Sequence, residues 1–316
     1  MMEQNVLEGR VAIVTGGGRG IGKAICDSLI NSGARLICAD NGFSIDGTEE
    51  DNGIIDSLVA TYGKSALGYS KSIASPEAAQ EITELALKNF GRIDIIVNCA
   101  AILRDGLVFK SSPIDWDVVI QNNLSSAYYL INASTPIMRQ QFKDQQNNEE
   151  TYNWGRVINI GSTAGLYGNF GQANYGSAKA GLFALTRITA MEMAPSNVTA
   201  NYIAPFAHSR VTDMIKPANK EQSQYKERAM RVLPNYVSTF VEYLCSDQAE
   251  DVTGQVFGVR AKEIFVFSQP RPINKILQSE GDWNHKKLSQ AVNSKLRNDF
   301  TDLATDLEAF NTDPII

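Results

Sequence analysis

The most constraining feature of this chain is the stretch from residue 10 to residue 41, RVAIVTGGGRGIGKAICDSLINSGARLICADN. It reads as an apolar strand, a glycine-rich turn, a helix and a second apolar strand that ends in the acid Asp40. A helix that starts at such a turn presents free backbone N–H groups, which bind phosphate. The pattern therefore predicts a βαβ unit of the kind that binds a dinucleotide in a doubly wound α/β sheet.

The glycine turn and the acid together indicate which dinucleotide fits. Gly16, Gly20 and Gly22 allow a tight bend, close approach to a pyrophosphate, and packing of the helix on the strand. Asp40 comes eighteen residues after Gly22, and an acid there accepts hydrogen bonds from ribose hydroxyls and repels a 2′-phosphate. Arg19 is an opposing signal, because its guanidinium could meet that phosphate. Binding NADP would bury the Asp40 carboxylate against the 2′-phosphate, which is a second anion. The sequence therefore favours NAD.

A repeating strand and helix pattern continues along the chain. Strands are predicted at Val11–Thr15, Arg35–Asp40, Ala66–Tyr69, Ile93–Asn98, Arg156–Ile160, Thr199–Ile203 and Gln255–Val259. Near-continuous apolar strands such as IDIIVNCA are typical of a parallel sheet that is buried on both faces. We expect a seven-stranded parallel sheet of the Rossmann type in one domain, residues 1–267, with a helical C-terminal extension, residues 268–316.

Two segments depart from this minimal pattern. Residues 142–155, FKDQQNNEETYNWG, are polar and rich in Gln and Asn, so we expect a solvated loop before the fifth strand. Residues 288–310, LSQAVNSKLRNDFTDLATDLEAF, have the apolar spacing of an amphipathic helix. Such a helix would cover the core or a partner subunit.

A serine, a tyrosine and a lysine after the fifth strand predict acid–base chemistry. Ser162 lies thirteen residues before Tyr175, and Lys179 follows Tyr175 by one helical turn, so the last two share a helix face. A free phenol has a pKa of ~10, and a fixed cation nearby lowers it. We therefore expect Tyr175 to accept the proton of a substrate hydroxyl while hydride leaves for a nicotinamide. Ser162 would hydrogen-bond the substrate oxygen.

These motifs together resemble the short-chain dehydrogenase/reductase family. The spacing TGxxxGxG, from Thr15 to Gly22, combines with Ser162, Tyr175 and Lys179, and the resemblance covers about residues 6–260. It implies that Asn123 is a fourth catalytic residue that links the lysine to solvent through a water molecule. It also implies that the helices bearing Asn123 and Tyr175 pair subunits in a homodimer or homotetramer.

The resemblance extends the cofactor site and shows where this chain differs from the family pattern. It implies that the cofactor-binding residues include Ile21, Ser72, Ile73, Asn98, Ala100, Tyr175, Lys179 and Pro205. The usual Asn-Asn-Ala-Gly segment reads Asn98-Cys99-Ala100-Ala101, and Ser72-Ile73 replaces Asp-Val. Because a serine still offers a hydrogen-bonding group, we expect weaker adenine fixation and retained binding. Phe206 follows Pro205 in place of glycine, which alters the nicotinamide carboxamide contacts.

Several longer segments resemble a subfamily, the (3R)-hydroxyacyl-CoA dehydrogenase units of peroxisomal multifunctional enzymes type 2 and their stand-alone bacterial relatives. They are AAILRDGLVFKSSPIDWD, GLYGNFGQANYGSAKAGL, IAPFAHSRVTDMIKP and YVSTFVEYLCSD. The resemblance implies NAD-dependent oxidation of a (3R)-3-hydroxyacyl-CoA in β-oxidation of a fatty or steroid side chain. A 17β-hydroxysteroid dehydrogenase acting on a free steroid remains an alternative, and so does a non-catalytic NAD-binding scaffold, although all four catalytic positions are intact.

The substrate side is less constrained by the sequence. Leu103, Leu166, Tyr167, Phe170 and Phe206 could form an apolar wall that suits an acyl chain or a steroid equally. His208 could touch the ligand or simply pack in its loop. Residues 207–235 occupy the position of the family's lid over the substrate. Their basic side chains could bind coenzyme A phosphates or be solvated; they are Lys216, Lys220, Lys226, Arg228 and Arg231.

Composition excludes several other classes of protein. The formal net charge of −6 gives no basic field for nucleic acid, and no run of ~18 apolar residues could span a bilayer. The four cysteines form no CxxC pair and the chain has two histidines, so we expect buried thiols and no metal site. The start MMEQN leaves no room for a signal peptide, and the end DPII differs from Ser-Lys-Leu. We expect a cytoplasmic, stand-alone bacterial enzyme.

Overall fold

A single eight-stranded sheet organises the protein. The computed structural model describes residues 5–48, 51, 53–146, 154–208, 213, 220–278 and 281–316. The strands are β1 (Val11–Thr15), β2 (Arg35–Ala39), β3 (Ala66–Tyr69), β4 (Ile95–Asn98), β5 (Gly155–Ile160), β6 (Val198–Phe206), β7 (Val256–Arg260) and β8 (Glu263–Val266). Their order is β3-β2-β1-β4-β5-β6-β7-β8. The first seven pair in parallel, and β8 runs antiparallel to β7.

Helices follow the strands along the chain. They are α1 (Gly20–Asn31), α2 (Ile54–Tyr62), α3 (Pro76–Phe90), α4 (Pro113–Ile120), α5 (Ser126–Gln146), α6 (Ala164–Tyr167), α7 (Ala173–Met193), α8 (Lys220–Arg231), α9 (Asn235–Cys245), α10 (His285–Ala291) and α11 (Asp306–Ala309). Local signals set some of the ends. The Ser75 side chain accepts a hydrogen bond from the third residue of α3, and Gly91 ends that helix in the left-handed conformation.

The sheet is buried on both faces, as the apolar strands predict. Alternate residues of β1 enter different cores: Val11 and Ile13 pack with α3, α5 and α7, whereas Ala12 and Val14 pack with α1 and α9. Successive side chains of a strand point to opposite faces, so a strand between two helix layers must be apolar throughout. The doubly wound α/β class is confirmed, and the strand order reverses between β1 and β4, where a crevice opens at the carboxyl ends of the strands.

The prediction of seven strands is wrong by one. A two-residue turn, Ala261 and Lys262, leads from β7 into β8, and Ala261 has a φ of 52°. Four residues form β8, and their side chains alternate between half-buried and exposed. A strand this short gives too few alternations to stand out from a loop in the sequence.

The long helix predicted over residues 288–310 is also wrong. Helix α10 ends at Ala291, a π turn spans Val292–Leu296, a 3₁₀ turn follows, and α11 begins at Asp306. Leu288, Phe300 and Leu303 are exposed, with Leu303 95% exposed. An amphipathic helix in a protein derives most of its stability from packing its apolar face. Because these three side chains are not covered by the described residues, the expected helix breaks into short pieces.

The two ends of the polar segment 142–155 are not the solvated loop that the sequence predicts. Helix α5 extends to Gln146, residues 147–153 lie outside the described residues, and Trp154 is buried before β5. The guanidinium carbons of Arg10 and Arg156 lie 4.1 and 3.9 Å from the Trp154 ring centroid. Composition alone missed this pair of cation–π contacts, which hold the end of the segment against the sheet. Among the described helices, none is long and apolar enough to cross a membrane.

Candidate active site

The turn between β1 and α1 is so closely packed that only glycine fits at key positions. Gly16 has a φ of 67°, and a Cβ there would lie 2.7 Å from the Ala100 Cα. A Cβ on Gly22 would lie 1.9 Å from the carbonyl oxygen of Gly16. Arg19, at the N-cap of α1, makes no side-chain capping bond. The arrangement leaves room and backbone donors for an anion at the start of α1.

Asp40 is placed at the end of β2 and held by the glycine turn. Its Oδ2 accepts a hydrogen bond from the Gly18 N–H at 3.0 Å, and its Oδ1 accepts one from the Gly42 N–H at 2.9 Å. Arg19 forms an ion pair with Asp51 at 2.9 Å. The carboxylate is thus fixed in orientation, while the only arginine of the turn already has an anionic partner.

A cleft opens beside Asp40 at the carboxyl ends of the strands. Of the predicted cofactor residues, Gly16, Asp40, Ile73 and Ala100 line it. Asn41, Phe43, Lys71 and Asn122 also line it and were not predicted from the sequence; the first three follow β2 or β3, and Asn122 lies in the helical turn Gln121–Ser125. Lys71 is also paired with Glu81 at 2.7 Å. The cleft therefore has mixed polar and apolar walls, which suits an adenosine group.

Two other predicted cofactor residues take structural partners. The Asn98 amide donates to Asn159 at 2.8 Å and is buried between β4 and β5. The Ser72 hydroxyl accepts a hydrogen bond from the backbone N–H of Ala74 and is exposed. Thr15 supports the next segment, because its hydroxyl accepts hydrogen bonds from the N–H groups of Cys99 and Ala100 at 3.1 and 3.3 Å. The loop after β4 is thereby fixed against β1.

Pro205 and Phe206 are the last two residues of β6, and both contact other parts of the protein. Pro205 pairs in register with Val259 of β7. Phe206 is buried, and its ring centroid lies 4.6 Å from that of Phe310. Ile21 lies in the first turn of α1 and is half-buried.

Ser162, Tyr175 and Lys179 meet beyond the end of β5. The Ser162 side chain lies close enough to the Tyr175 hydroxyl to lower the Tyr175 pKa. The Lys179 Nζ donates to the Ile160 carbonyl oxygen at 2.8 Å and lies 5.6 Å from the Tyr175 ring centroid. The Tyr202 hydroxyl fixes Ser162, since it accepts from the Ser162 N–H and donates to the Ser162 carbonyl, both at 2.8 Å. The sequence-predicted groups are therefore in contact.

The expected pKa of Tyr175 is wrong for this structure. Burial raises the Tyr175 pKa to about 12, although the hydrogen bond from Ser162 acts in the opposite direction. Burial also lowers the Lys179 pKa to about 8. The sequence argument considered only the attraction between ammonium and phenolate, whereas both groups lie in the interior and lose hydration when charged. In this state Tyr175 is a neutral phenol at pH 7.

Asn123 lies in a π turn, Gln121–Ser125, between α4 and α5. Its side-chain oxygen accepts from the Ile102 N–H, and its amide donates to the Ile102 carbonyl, both at 2.8 Å. A π turn adds one residue to a helical turn and redirects the side chains that follow. Asn123 therefore fixes the loop after β4, and its role in a proton relay stays a prediction.

The predicted substrate wall is not one continuous surface. Leu103 is buried with Tyr175 in one apolar cluster, whereas Tyr167 contacts Phe267 edge to face with centroids 6.3 Å apart. Phe170 is 87% exposed. The predicted wall residues thus lie at different depths, and Phe267 and Phe310 are further aromatic groups that contact Tyr167 and Phe206.

Three of the basic residues of the predicted lid, Lys226, Arg228 and Arg231, bind protein groups. Arg228 and Arg231 each lie 3.1 Å from Asp313, near the C-terminus. Lys226 donates to the Asp213 carbonyl oxygen, and the His208 ring is 2.9 Å from the Asp213 carboxylate. Lys216 lies outside the described residues. The sequence analysis missed Asp313, because nothing in the sequence indicates that the C-terminus returns to α8.

Metal-ligating side chains do not gather in the described part of the chain. No three His, Cys, Asp or Glu residues stand close enough to hold a metal ion there. The cysteines are free thiols, and the Sγ atoms of Cys26 and Cys38 are 3.6 Å apart in the interior.

Comparisons with known proteins agree with this geometry. The sequence profile described as short chain dehydrogenase matches residues 10–223. Peroxisomal multifunctional enzyme type 2 of Mus musculus is 33% identical over 275 residues, which are 86% of this chain and 34% of the mouse protein. A 3-oxoacyl-acyl-carrier-protein reductase of Aquifex aeolicus is 34% identical over 259 residues, 80% of this chain and 96% of that protein. The crystal structure of a short chain dehydrogenase from Mycobacterium avium superposes with a TM-score of 0.74 at 31% identity, covering 92% and 95% of the two chains.

Proposed function

The chain belongs to the short-chain dehydrogenase/reductase family, oxidoreductases that act on CH–OH groups with a nicotinamide cofactor, and we propose that its substrate is a (3R)-3-hydroxyacyl-CoA. The proposed reaction oxidises the 3-hydroxyl group to the 3-keto group, with NAD as the cofactor. The carrying observation is that buried Tyr175 lies next to both Ser162 and buried Lys179, whose Nζ is 5.6 Å from the Tyr175 ring centroid.

Each of the three residues has a distinct task in the proposed mechanism. The Ser162 hydroxyl donates a hydrogen bond to the substrate oxygen, and Tyr175 removes the hydroxyl proton. Bound NAD supplies a hydride acceptor and a positive charge. Since the Tyr175 pKa is about 12 in this structure, a nearby cation is needed to favour the phenolate. Lys179, with a pKa of about 8, carries such a charge at pH 7.

The choice of NAD is supported by the surroundings of Asp40. Its carboxylate lies at the carboxyl end of β2, where the ribose of a dinucleotide binds in such sheets. Two backbone N–H groups hold it, and it lines the cleft. A 2′-phosphate would place a second anion against this fixed carboxylate. Arg19, the residue of the glycine turn that could bind a 2′-phosphate, is already paired with Asp51.

The acyl thioester class is supported by the relatives as their names describe them. The mouse protein is a peroxisomal multifunctional enzyme, and the Aquifex aeolicus protein reduces a 3-oxoacyl group on a carrier protein. The chain spans 34% of the mouse protein, so the activity of that whole protein is not carried over to this chain. The run GLYGNFGQANYGSAK, which carries Tyr175 and Lys179, is the residue-level basis for the same class.

We propose a homodimer or homotetramer that forms through α5 and α7. Tyr128 on α5 and Met191 on α7 are large apolar side chains that are 49% and 65% exposed. Exposed apolar groups on two neighbouring long helices favour association with a second copy. Sedimentation of the purified chain would give the stoichiometry.

The test is NADH formation by the purified protein with matched (3R)- and (3S)-3-hydroxyacyl-CoA. A free 17β-hydroxysteroid is the third substrate, and each assay is repeated with NADP. The proposal expects turnover of the (3R) thioester with NAD alone. Turnover only of the steroid supports the alternative hydroxysteroid dehydrogenase. NADH binding without turnover of any substrate supports a scaffold and contradicts the proposed reaction.

A further inference from the structure

The end of the chain returns to the carboxyl edge of the sheet. We call residues 304–316 the C-terminal segment. The Lys262 N–H donates to the Ile315 carbonyl oxygen at 3.0 Å, next to the turn between β7 and β8. The Arg260 guanidinium donates to the carbonyl oxygens of Phe310 and Thr312 at 3.1 and 3.2 Å. These bonds hold the segment at the carboxyl end of β7, next to Phe206 at the end of β6.

Asp306 connects the C-terminal segment to the catalytic loop, which is residues 161–163 between β5 and α6 and carries Ser162. Its Oδ2 accepts a hydrogen bond from the Thr163 hydroxyl at 2.8 Å, and Thr163 directly follows Ser162. The same oxygen accepts a second hydrogen bond from the Tyr225 hydroxyl of α8 at 3.0 Å. Burial and the Asp306 charge raise the pKa of Tyr225, which keeps it a donor. One carboxylate therefore joins the catalytic loop, α8 and the C-terminal segment.

An aromatic cluster lies beside this carboxylate. The Phe310 ring centroid is 4.6 Å from that of Phe206, 5.2 Å from that of Phe265 and 6.4 Å from that of Phe267. Phe267 in turn contacts Tyr167, which lies in the helix that follows Ser162. The rings form a continuous apolar surface from the C-terminal segment to the catalytic loop. Such a surface suits the apolar part of a substrate.

The C-terminal segment has a second attachment to α8. Asp313 pairs with Arg228 and Arg231, and the Arg228 guanidinium also donates to Asn311 at 2.6 Å. These pairs are exposed, and exposed pairs contribute little stability each. The attachment through Asp306 is different, because it reaches past α8 to the residue next to Ser162.

We propose that Asp306 is a positioning residue that holds α8 and the C-terminal segment of the same chain against the catalytic loop. This inference rests on the proposed function, since the aromatic surface that Asp306 orders would bind the apolar acyl group. The described partners of the Asp306 carboxylate are Thr163 and Tyr225 and not Ser162, Tyr175 or Lys179, and so the proton transfer itself does not depend on it. Loss of the carboxylate is expected to weaken substrate binding and to spare the chemical step.

The experiment compares the full-length protein with Asp306→Ala, Tyr225→Phe and the control Asp302→Ala. Asp302 is exposed in the same part of the chain, and its carboxylate accepts a hydrogen bond from the nearby Ala304 N–H. Amide hydrogen exchange is measured in α8 and in residues 163–167. KM and kcat are measured with a long-chain and a short-chain (3R)-3-hydroxyacyl-CoA, and NADH affinity is measured by titration.

Asp306→Ala is expected to speed exchange in α8 and in residues 163–167 together, by about tenfold, because two hydrogen bonds to one charged acceptor are lost. KM for the long-chain substrate should rise about tenfold, while kcat and NADH affinity stay within about twofold. Tyr225→Phe, which retains the ring, should give a smaller effect in the same direction, and Asp302→Ala should give none.

Unchanged exchange in α8 or in residues 163–167 of Asp306→Ala would overturn the inference. So would a fall in kcat with KM unchanged, or an equal effect of the Asp302 control. Hydrogen exchange needs no substrate, so it decides the positioning role by itself. If the unaltered protein turns over no hydroxyacyl-CoA, the proposed function fails independently of that result.

Discussion

Replacing Lys179 by methionine should stabilise the protein while it removes the activity. The lysine is 2% exposed, and its Nζ donates to the Ile160 carbonyl oxygen at 2.8 Å. Within the described residues no carboxylate forms an ion pair with it. A buried ammonium without an anionic partner lowers stability, because its lost hydration is only partly replaced. Methionine has a similar length and no charge.

The magnitude follows from the Lys179 pKa. Lowering it from 10.5 to about 8 corresponds to a penalty of about 3 kcal/mol on the charged form, at about 1.4 kcal/mol for each pH unit. Methionine would leave the Ile160 carbonyl without its donor, which costs about 1 kcal/mol. The variant should therefore be about 2 kcal/mol more stable than the unaltered protein at pH 7. Its melting temperature should be higher by about 4 °C.

The pH dependence gives the sharper assay. Below pH 8 the lysine is charged in both the folded and unfolded states, so the penalty is complete. Between pH 8 and 10.5 only the unfolded state keeps the proton, and the penalty disappears as the pH rises. Arg10 and Arg156 also have lowered pKa values, about 9 and about 10, but they contribute equally to both proteins. Urea unfolding at pH 7, 8, 9 and 10 therefore isolates Lys179 in the difference. A variant less stable at pH 7, or a difference that does not change with pH, would refute this reasoning.

Two further substitutions test the cofactor side. Asp40→Ala should weaken NAD binding by about ten- to a hundredfold, because hydrogen bonds to a charged acceptor are lost. It should also bring NADP use closer to NAD use. Titration with both cofactors measures the two effects, and an unchanged preference for NAD would contradict the expectation. Gly22→Ala should abolish NADH binding and lower the melting temperature, because its Cβ would lie 1.9 Å from the Gly16 carbonyl oxygen. Gly53→Ala is the matched control, because its nearest neighbour is a side-chain oxygen 3.9 Å away, and equal behaviour of the two alanine variants would contradict the packing argument.

The parts of the fold that the sequence predicted are those with strong local signals. Strands β1 to β7 were predicted within a few residues at each end, because a strand buried on both faces must be almost wholly apolar. The glycine turn was predicted from Gly16 and Gly22, where a Cβ would collide with backbone atoms. The grouping of Ser162, Tyr175 and Lys179 was predicted from the helical spacing of Tyr175 and Lys179 and from the position of Ser162 after a strand. Both signals are local.

The errors arise where contacts between distant segments decide the structure. The Tyr175 pKa depends on burial by several elements, and the spacing from Tyr175 to Lys179 contains no information about burial. Asp306 and Phe310 lie far in sequence from Thr163 and Phe206, so the path of the C-terminal segment had no local signal. The helix predicted over residues 288–310 failed for the converse reason, since the described residues leave Leu288, Phe300 and Leu303 exposed. The burial of Trp154 was missed because one of its two arginine neighbours, Arg10, comes from the residue before β1.

The most direct test of the account is NADH formation from a (3R)-3-hydroxyacyl-CoA by the unaltered protein and by Tyr175→Phe, with NADH affinity measured for both. The phenylalanine ring fills the same buried space and has no hydroxyl group to accept or donate a proton. The account predicts that NADH affinity stays within about twofold while turnover falls by about 10²- to 10⁴-fold, as expected for loss of a general base. Turnover retained by Tyr175→Phe would contradict the role of Tyr175 and, with it, the proposed mechanism.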